Sequence, residues 1–307
     1  MRPWRWRRAQ QIAPAVDENL FDDEFQRKLD TLALVSRRVL GGRLRAERRT
    51  RKSGGGVEFA DHREYQPGDD FRSLDWNVYQ RFERLLVRLY EEEEDLAIYF
   101  VLDTSASMGL APRKLRYAKR VCAALAYVGL ANLDRVSIVT TTSRVTSRMQ
   151  ETRGKARIFK VFRFLAAASA GGPTDLADAL RTFVASSKRR GMAVLISDLY
   201  DPAGFERGIN VLRYNKFEPL VVHVVDPDDV RPSQVGDVVV IDCETGLERE
   251  VTVTPKVLSR LASAHRQYLD EIQRFCAGHQ VPYVVANVTV PFDELVLRVF
   301  RRGGFLR

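Results

Sequence analysis

The stretch Leu96-Ala97-Ile98-Tyr99-Phe100-Val101-Leu102-Asp103 decides the fold. Its first seven residues are continuously apolar and of strand length, which is typical of a strand buried on both faces of a parallel sheet. Asp103 ends this run, so its carboxylate is expected where the parallel strands finish. Open α/β sheets bind their ligands beyond that edge. Asp103 is therefore the first candidate functional residue.

Two serines follow this aspartate at short spacing, Ser105 and Ser107. Pro112 suits the first turn of a helix that extends to about Asp134, so the intervening loop must turn sharply and can aim three oxygens at one point. Hard oxygen ligands, without thiolate or imidazole, suit Mg²⁺, Mn²⁺ or Ca²⁺. Taken alone, the same side chains could equally well cap the following helix.

Two distant segments favour the metal interpretation. The sequence Gly171-Gly172-Pro173-Thr174-Asp175 predicts a glycine-rich loop that opens a helix, with Thr174 at the N-cap. The sequence Met192-Ala193-Val194-Leu195-Ile196-Ser197-Asp198 repeats the pattern of a buried strand that ends in aspartate. If the two strands are neighbours, five side chains can converge on one ion: Asp103, Ser105, Ser107, Thr174 and Asp198.

This ordered set of residues resembles the metal-ion-dependent adhesion site of von Willebrand factor A-type domains. The resemblance implies that Asp103, Ser105, Ser107, Thr174 and Asp198 surround a divalent ion, Mg²⁺ or Mn²⁺. It also implies that the ion keeps one coordination position open for the carboxylate of a protein partner.

An upstream segment carries a second resemblance. Residues 54–76, which include Gln66-Pro67-Gly68-Asp69-Asp70, resemble the hallmark of the bacterial domain-of-unknown-function-58 family, although Gln80 precedes Arg81 where a small residue is usual. Proteins of that family are commonly encoded beside a MoxR-type AAA+ ATPase, which implies such an ATPase or its substrate as the partner. The acids of the segment are expected to cap helices or to pair with arginines, and Trp76 is expected to anchor a core.

The alternation of strands and helices predicts an α/β fold, with a doubly wound and mainly parallel sheet of the von Willebrand factor A-like, Rossmann type. An N-terminal helical and irregular extension and an inserted β-hairpin complete the prediction. The expected domains are 1–53, a basic helix and linker; 54–94, the family-signature segment packing on the A domain; and 95–307, the A-like domain with its hairpin near 236–254.

Composition limits the class of protein. A chain of 307 residues with 45% hydrophobic and 29% charged residues can bury one substantial core and a smaller appendage. It has no apolar run of membrane-spanning length, and its first residues lack the apolar core of a secretory signal. Three cysteines lie without metal-ligand spacing, at positions 122, 243 and 276. We therefore expect a cytoplasmic protein without a transmembrane segment.

The net charge of +9 is concentrated between Arg37 and Lys52, where eight basic residues accompany one acid. Such a cluster could bind nucleic acid or an anionic surface, predicting a steep salt dependence and no metal requirement. The simpler interpretation is a solvated helix end and linker.

The leading hypothesis is a non-enzymatic, metal-dependent protein-binding module, an adaptor or substrate-presenting partner of an AAA+ ATPase. The sequence has no G-x-x-x-x-G-K-[ST] loop and no spacing that argues for a Ser/His/Asp or Cys/His pair. The rival from the enzyme class is Mg²⁺-dependent phosphoryl transfer with Asp103 as the nucleophile. Haloacid-dehalogenase-type phosphatases, which use a strand-end aspartate in this way, need a second aspartate two residues later, where this chain has Ser105.

Overall fold

A computed structural model describes residues 4–6, 20–40, 49–53, 58–93, 97–230 and 236–302. The chain divides into two units, one formed by Met1–Ser36 with Leu96–Leu306 and the other by Arg37–Asp95. In the described ranges the strands are β1 (Trp4–Trp6), β2 (Arg49–Ser53), β3 (Glu58–Glu64), β4 (Leu86–Glu93), β5 (Ala97–Asp103), β6 (Arg135–Thr141), β7 (Val145–Thr152), β8 (Met192–Ser197), β9 (Glu218–Val225), β10 (Gly236–Asp242), β11 (Glu248–Val253) and β12 (Tyr283–Asn287). The α-helices there are α1 (Asp23–Leu40), α2 (Trp76–Phe82), α3 (Pro112–Ala131), α4 (Ile158–Ala167), α5 (Leu176–Ser186), α6 (Phe205–Tyr214), α7 (Pro255–Gly278) and α8 (Phe292–Arg302).

The larger unit is built on a six-stranded sheet in the order β12-β9-β8-β5-β6-β7. Every pairing in it is parallel except that of β6 with β7, which form an antiparallel pair at one edge. The strand β5 is buried along its whole length, as its unbroken apolar sequence predicts. The predicted α/β fold with a mainly parallel sheet is confirmed.

Helices cover both faces of this sheet. The β5 side chains of Tyr99 and Val101 belong to a core shared with Leu180 of α5 and Ile209 of α6. On the opposite face α3 comes close, because a methyl group added at Gly129 would lie 3.3 Å from Ile98 Cδ1. The sheet is therefore doubly wound.

The strand β6 lies on one side of β5, and β8, which comes later in the chain, lies on the other side. The carboxyl ends of β5 and β8 are neighbours at this reversal of the strand order, since Leu102 pairs with Ile196 in their parallel register. Topological switch points of this kind leave a crevice beyond the strand ends. The two aspartates singled out in the sequence flank it.

The first part of α1 packs within the larger unit. Phe25 is fully buried, and its ring lies 6.0 Å from that of Phe162 in α4 and 4.6 Å from that of Phe292 in α8. At the edge of this contact Asp30 accepts hydrogen bonds from the hydroxyl of Tyr127 and from the ammonium of Lys155.

The predicted hairpin insertion is present and gains a third strand. The strands β10 and β11 pair antiparallel, and β1 adds to the free edge of β10 with Arg5 opposite Ile241. A short N-terminal strand thus holds the outer side of the hairpin.

The smaller unit contains the antiparallel sheet β2-β4-β3 and the helix α2. The acids of its signature segment have structural roles: Asp69 pairs with Arg63 at 2.8 Å, and Asp75 caps α2 by accepting from the Asn77 backbone N–H at 3.0 Å. Trp76 is 54% exposed, so the expectation that it anchors a core is wrong. It opens α2 directly after the cap, and its ring meets Tyr79 edge-on within the same short helix.

Residues 41–48 of the basic cluster between Arg37 and Lys52 lie outside the described residues, and the proposed roles of the cluster stay predictions. Within the described ranges, no helix is both long enough and apolar enough to span a bilayer.

Candidate metal site

Two buried aspartates stand at the switch point. Asp103 is the last residue of β5, and Asp198 directly follows β8. Both are 1% exposed. The Ser197 hydroxyl donates a hydrogen bond of 2.5 Å to Asp103 Oδ2, which ties the ends of the two strands together.

The two serines connect these aspartates. The Ser105 backbone N–H donates to Asp103 Oδ1 at 2.9 Å, and the Ser105 and Ser107 hydroxyl oxygens lie 2.9 Å apart. The Ser107 hydroxyl in turn donates to Asp198 Oδ1 at 3.2 Å. Both serines are fully buried. Four of the five residues predicted from sequence are therefore joined by buried hydrogen bonds, the first of them through the Ser105 backbone N–H.

The fifth predicted residue, Thr174, belongs to a loop that two backbone hydrogen bonds attach to the serine loop. The Ala106 N–H donates to the Gly172 carbonyl, and the Gly171 N–H donates to the Thr104 carbonyl, both at 2.9 Å. Gly172 has a φ of +86°, a backbone conformation that glycine adopts without strain. The two loops are therefore fixed against each other.

Thr174 itself is buried, and its hydroxyl donates a hydrogen bond of 2.5 Å to Oε1 of Glu244. The sequence predicted that Thr174 caps the following helix, and this prediction is wrong. Asp175 caps that helix, because its backbone is extended and its carboxylate accepts from the Asp178 N–H at 2.8 Å. The Thr174 hydroxyl therefore bonds to Glu244 and not to the backbone at the start of α5.

The structure adds Lys114, a residue that sequence reasoning missed. Its side chain is fully buried, and Nζ lies 2.9 Å from Asp198 Oδ2 and 2.7 Å from Asp229 Oδ2. The ammonium also lies 5.2 Å from the centroid of the Tyr200 ring, a cation–π contact. In the sequence, Lys114 is a lysine in the first turn of a helix that starts beside the strand-end loop. A lysine at such a position is usually solvated, so the residue pattern offers no reason to place it in the site.

Glu244 was missed as well. It lies in the hairpin turn between β10 and β11, 70 residues from Thr174, and the turn sequence by itself gives no sign of a contact with the site. Only the tertiary structure brings the two side chains together.

A second layer of buried groups supports these residues. Asp201 accepts from the backbone N–H groups of Leu176 at 2.8 Å and Ala203 at 2.7 Å, which joins the start of α5 to the loop after β8. Beneath that loop, the His223 ring is buried and its Nδ1 lies 2.8 Å from the Tyr283 hydroxyl. The Asp201 contacts hold the loop after Asp198 against the start of α5.

Burial controls the charges of the site. Burial, followed by repulsion from Asp198, raises the pKa of Asp103 to about 7. Burial also lowers the pKa of His223 to about 4, so this ring is neutral at pH 7. For Lys114, burial opposes the charged form, but Asp198 and Asp229 outweigh it and the pKa stays above its usual value. Burial raises the pKa of Glu244, against hydrogen bonds from Thr174.

The oxygen set fits a small hard cation. An octahedral Mg²⁺ ion with metal–oxygen bonds of about 2.0–2.1 Å places neighbouring ligand atoms about 2.9 Å apart. The separations of 2.9 Å between Ser105 and Ser107 and of 3.2 Å between Ser107 and Asp198 are close to that spacing. Among the described residues, no three or more His, Cys, Asp or Glu side chains are grouped to hold a metal ion. A site here would depend on hydroxyl oxygens, and the metal ligation predicted from sequence stays a prediction.

Comparisons with known proteins identify relatives of this chain. The uncharacterized protein Rv1480 of Mycobacterium tuberculosis is 31% identical over 266 residues, which cover 84% of each chain. The uncharacterized protein MAV169 of Mycobacterium avium is 37% identical over 107 residues, covering 34% of this chain and 63% of that protein.

Solved structures are similar at lower identity. An aerotolerance-related membrane protein from Bacteroides fragilis is 16% identical with a TM-score of 0.40, over 67% of this chain and 98% of that one. The vWF domain of the type V pili tip protein Mfa5 from Porphyromonas gingivalis is 19% identical with a TM-score of 0.25, over 33% of this chain and 37% of that one. The family model "Protein of unknown function DUF58" matches residues 61–269. This chain belongs to that family.

Proposed function

We propose that this protein is a metal-dependent protein-binding module, in which the strand-end cluster holds Mg²⁺ or Mn²⁺ and, through the ion, a carboxylate of a protein partner. The observation that supports the proposal most directly is the buried series of hydrogen bonds from Asp103 to Asp198 at the topological switch point, which runs through the Ser105 backbone N–H and the hydroxyls of Ser105 and Ser107. Thr174, in a loop tied to the same segment, already contacts a carboxylate.

The charges of the buried groups suit a divalent cation. When ionised, Asp103, Asp198 and Asp229 carry three negative charges, and the Lys114 ammonium offsets one of them. A bound divalent ion would supply the remaining two positive charges and a Lewis-acidic attraction for a further carboxylate. In this proposal Lys114 occupies Oδ2 of Asp198 and leaves Oδ1 on the side of the serines.

The residues of the protein then have separate tasks. Asp103 and Asp198 supply charge, and the neutral hydroxyls of Ser105, Ser107 and Thr174 complete the oxygen set without cancelling the ion's attraction for an anion. Burial excludes water from the cluster, which strengthens a charge-assisted contact with a partner.

We further propose binding in place of catalysis. Two buried histidines lie behind the site, and the hydrogen bonds of their Nδ1 atoms run to tyrosines, His223 to Tyr283 and His265 to Tyr200. In this proposal the two histidines support the loops of the site.

The partner in this proposal is a MoxR-type AAA+ ATPase or its substrate, supplying an aspartate or glutamate. That choice follows from the family resemblance of the signature segment, and it makes the protein an adaptor or a substrate-presenting subunit. Because such a partner consumes ATP, the proposal places the protein in the cytoplasm.

Calorimetric titration with Mn²⁺ and with Mg²⁺ tests the metal step. Asp103→Asn should weaken binding by about a hundredfold, because it replaces a charged ligand by a neutral one. The matched control is Asp175→Asn, in the neighbouring loop, because Asp175 turns toward its own helix and asparagine is an equally good N-cap. Equal affinity of the Asp103→Asn variant and the unmodified protein, or no binding to the unmodified protein, would refute the proposal.

A further inference from the structure

A carboxylate of the chain itself already lies at the candidate site. Glu244 is only partly exposed, and its Oε1 accepts the 2.5 Å hydrogen bond from the Thr174 hydroxyl. Thr174 is the one predicted ligand that is linked to the others through its loop and not through its own side chain. The Thr174 side chain instead donates its hydrogen bond to the carboxylate of Glu244, in the hairpin turn.

The hairpin turn is built to hold Glu244 in this position. Asp242 is buried, and its Oδ1 accepts from the backbone N–H groups of Glu244 at 2.9 Å and Thr245 at 3.2 Å. Gly246, with a φ of +71°, allows the chain to reverse, and the Asp242 N–H donates to the Leu247 carbonyl at 2.9 Å. An Asx-type cap of this kind fixes the backbone that carries Glu244.

The hairpin is part of a three-stranded sheet. The strand β10 pairs with β11 on one side and with the N-terminal strand β1 on the other. The tip is therefore the end of a three-stranded sheet and does not depend on the Thr174 contact for its shape.

We infer that Glu244 is an internal ligand that takes the coordination position meant for the partner's carboxylate. The inference rests on the proposed function and specifies its regulation: the module is closed by its own hairpin, and a partner binds only by displacing Glu244. The group that replaces Glu244 must be another carboxylate, carried on a segment that can enter beside Thr174.

Tethering sets the strength of this closure. A ligand on a short connection competes with an effective concentration in the millimolar range. A partner that offers a carboxylate alone binds weakly, because its apparent affinity is reduced by the fraction of open molecules. A productive partner must therefore contact further surface, which makes the opening selective.

The number of water molecules on bound Mn²⁺, measured by water-proton relaxation, tests the inference. Glu244→Ala should add one metal-bound water relative to the unmodified protein, because the alanine offers no oxygen to replace the carboxylate. Glu248→Ala is the matched control, since Glu248 is an exposed glutamate on the same hairpin and should leave the number unchanged. Acetate, used as the probe carboxylate, should remove the added water from the Glu244→Ala protein at a concentration at least tenfold lower than any effect on the unmodified protein.

The outcomes separate this inference from the proposed function. If Mn²⁺ binds to all three proteins with equal water numbers, Glu244 is not a ligand and the inference is wrong, while the proposed metal site stands. If Mn²⁺ does not bind to the unmodified protein, the proposed function fails and the inference fails with it. An added water in the Glu244→Ala protein alone, removed by acetate, supports both.

Discussion

Replacing Lys114 by methionine removes the ammonium placed between Asp198 and Asp229 and keeps most of the side-chain volume. The lysine is fully buried with Nζ at 2.9 Å and 2.7 Å from the two carboxylates, so the variant retains one buried and one partly buried acid without their counter-ion. Removing one partner of a buried ion pair costs about 3–5 kcal/mol. We expect the metal-free Lys114→Met protein to lose that much stability, equivalent to a fall in melting temperature of about 10 °C at roughly 2–4 °C per kcal/mol.

Urea unfolding without and with Mg²⁺ measures this loss. The double variant Lys114→Met with Asp229→Asn should recover part of the stability, because it also removes one of the acids that lost its counter-ion. Saturating Mg²⁺ should reduce the loss further, since an ion on Asp198 takes over part of the role of the ammonium. A loss below about 1 kcal/mol, or a double variant no more stable than the single one, would refute the reasoning.

Three other predictions concern the scaffold. Phe25→Ala should destabilise the protein by about 3–5 kcal/mol in urea unfolding, because the ring is fully buried where α1 docks, whereas Leu34→Ala on the exposed side should change stability by less than about 0.5 kcal/mol. Gly191→Ala should cost at least about 1–3 kcal/mol in the same assay, since the added methyl would lie 2.2 Å from the Ala97 carbonyl oxygen. Because burial lowers the pKa of His223 from 6.5 to about 4, the unfolded chain takes up a proton there before the folded chain does. Stability from this group is complete above pH 6.5 and is lost as the pH falls toward 4, by roughly 3 kcal/mol, so His223→Gln should flatten the pH dependence between these values; an unchanged slope would contradict it.

The sequence by itself determined the elements whose signals are local. An unbroken apolar run of this length is typical of a strand buried on both faces, and the alternation of strands and helices around it favours the same assignment, so the central strand and its terminal Asp103 could be predicted from the sequence. The serines lie within four residues of that aspartate, and a tight loop of this length keeps them close to it. The alternation of strands and helices then placed Asp198 at the same edge of the sheet.

Tertiary structure alone decided what surrounds these oxygens. Lys114 could have been solvated on its helix, and it is buried because α3 packs so that its first turn faces the carboxylates. Glu244 reaches Thr174 through the packing of an inserted hairpin, which joins residues 70 positions apart and leaves no trace in either local pattern. The N-cap is Asp175 and not Thr174, because Asp175 has the extended backbone of a cap and its side chain accepts from the Asp178 N–H. Local sequence fixes the periodicity and chemistry of each element, but the partners of a polar side chain depend on which distant surfaces are buried together.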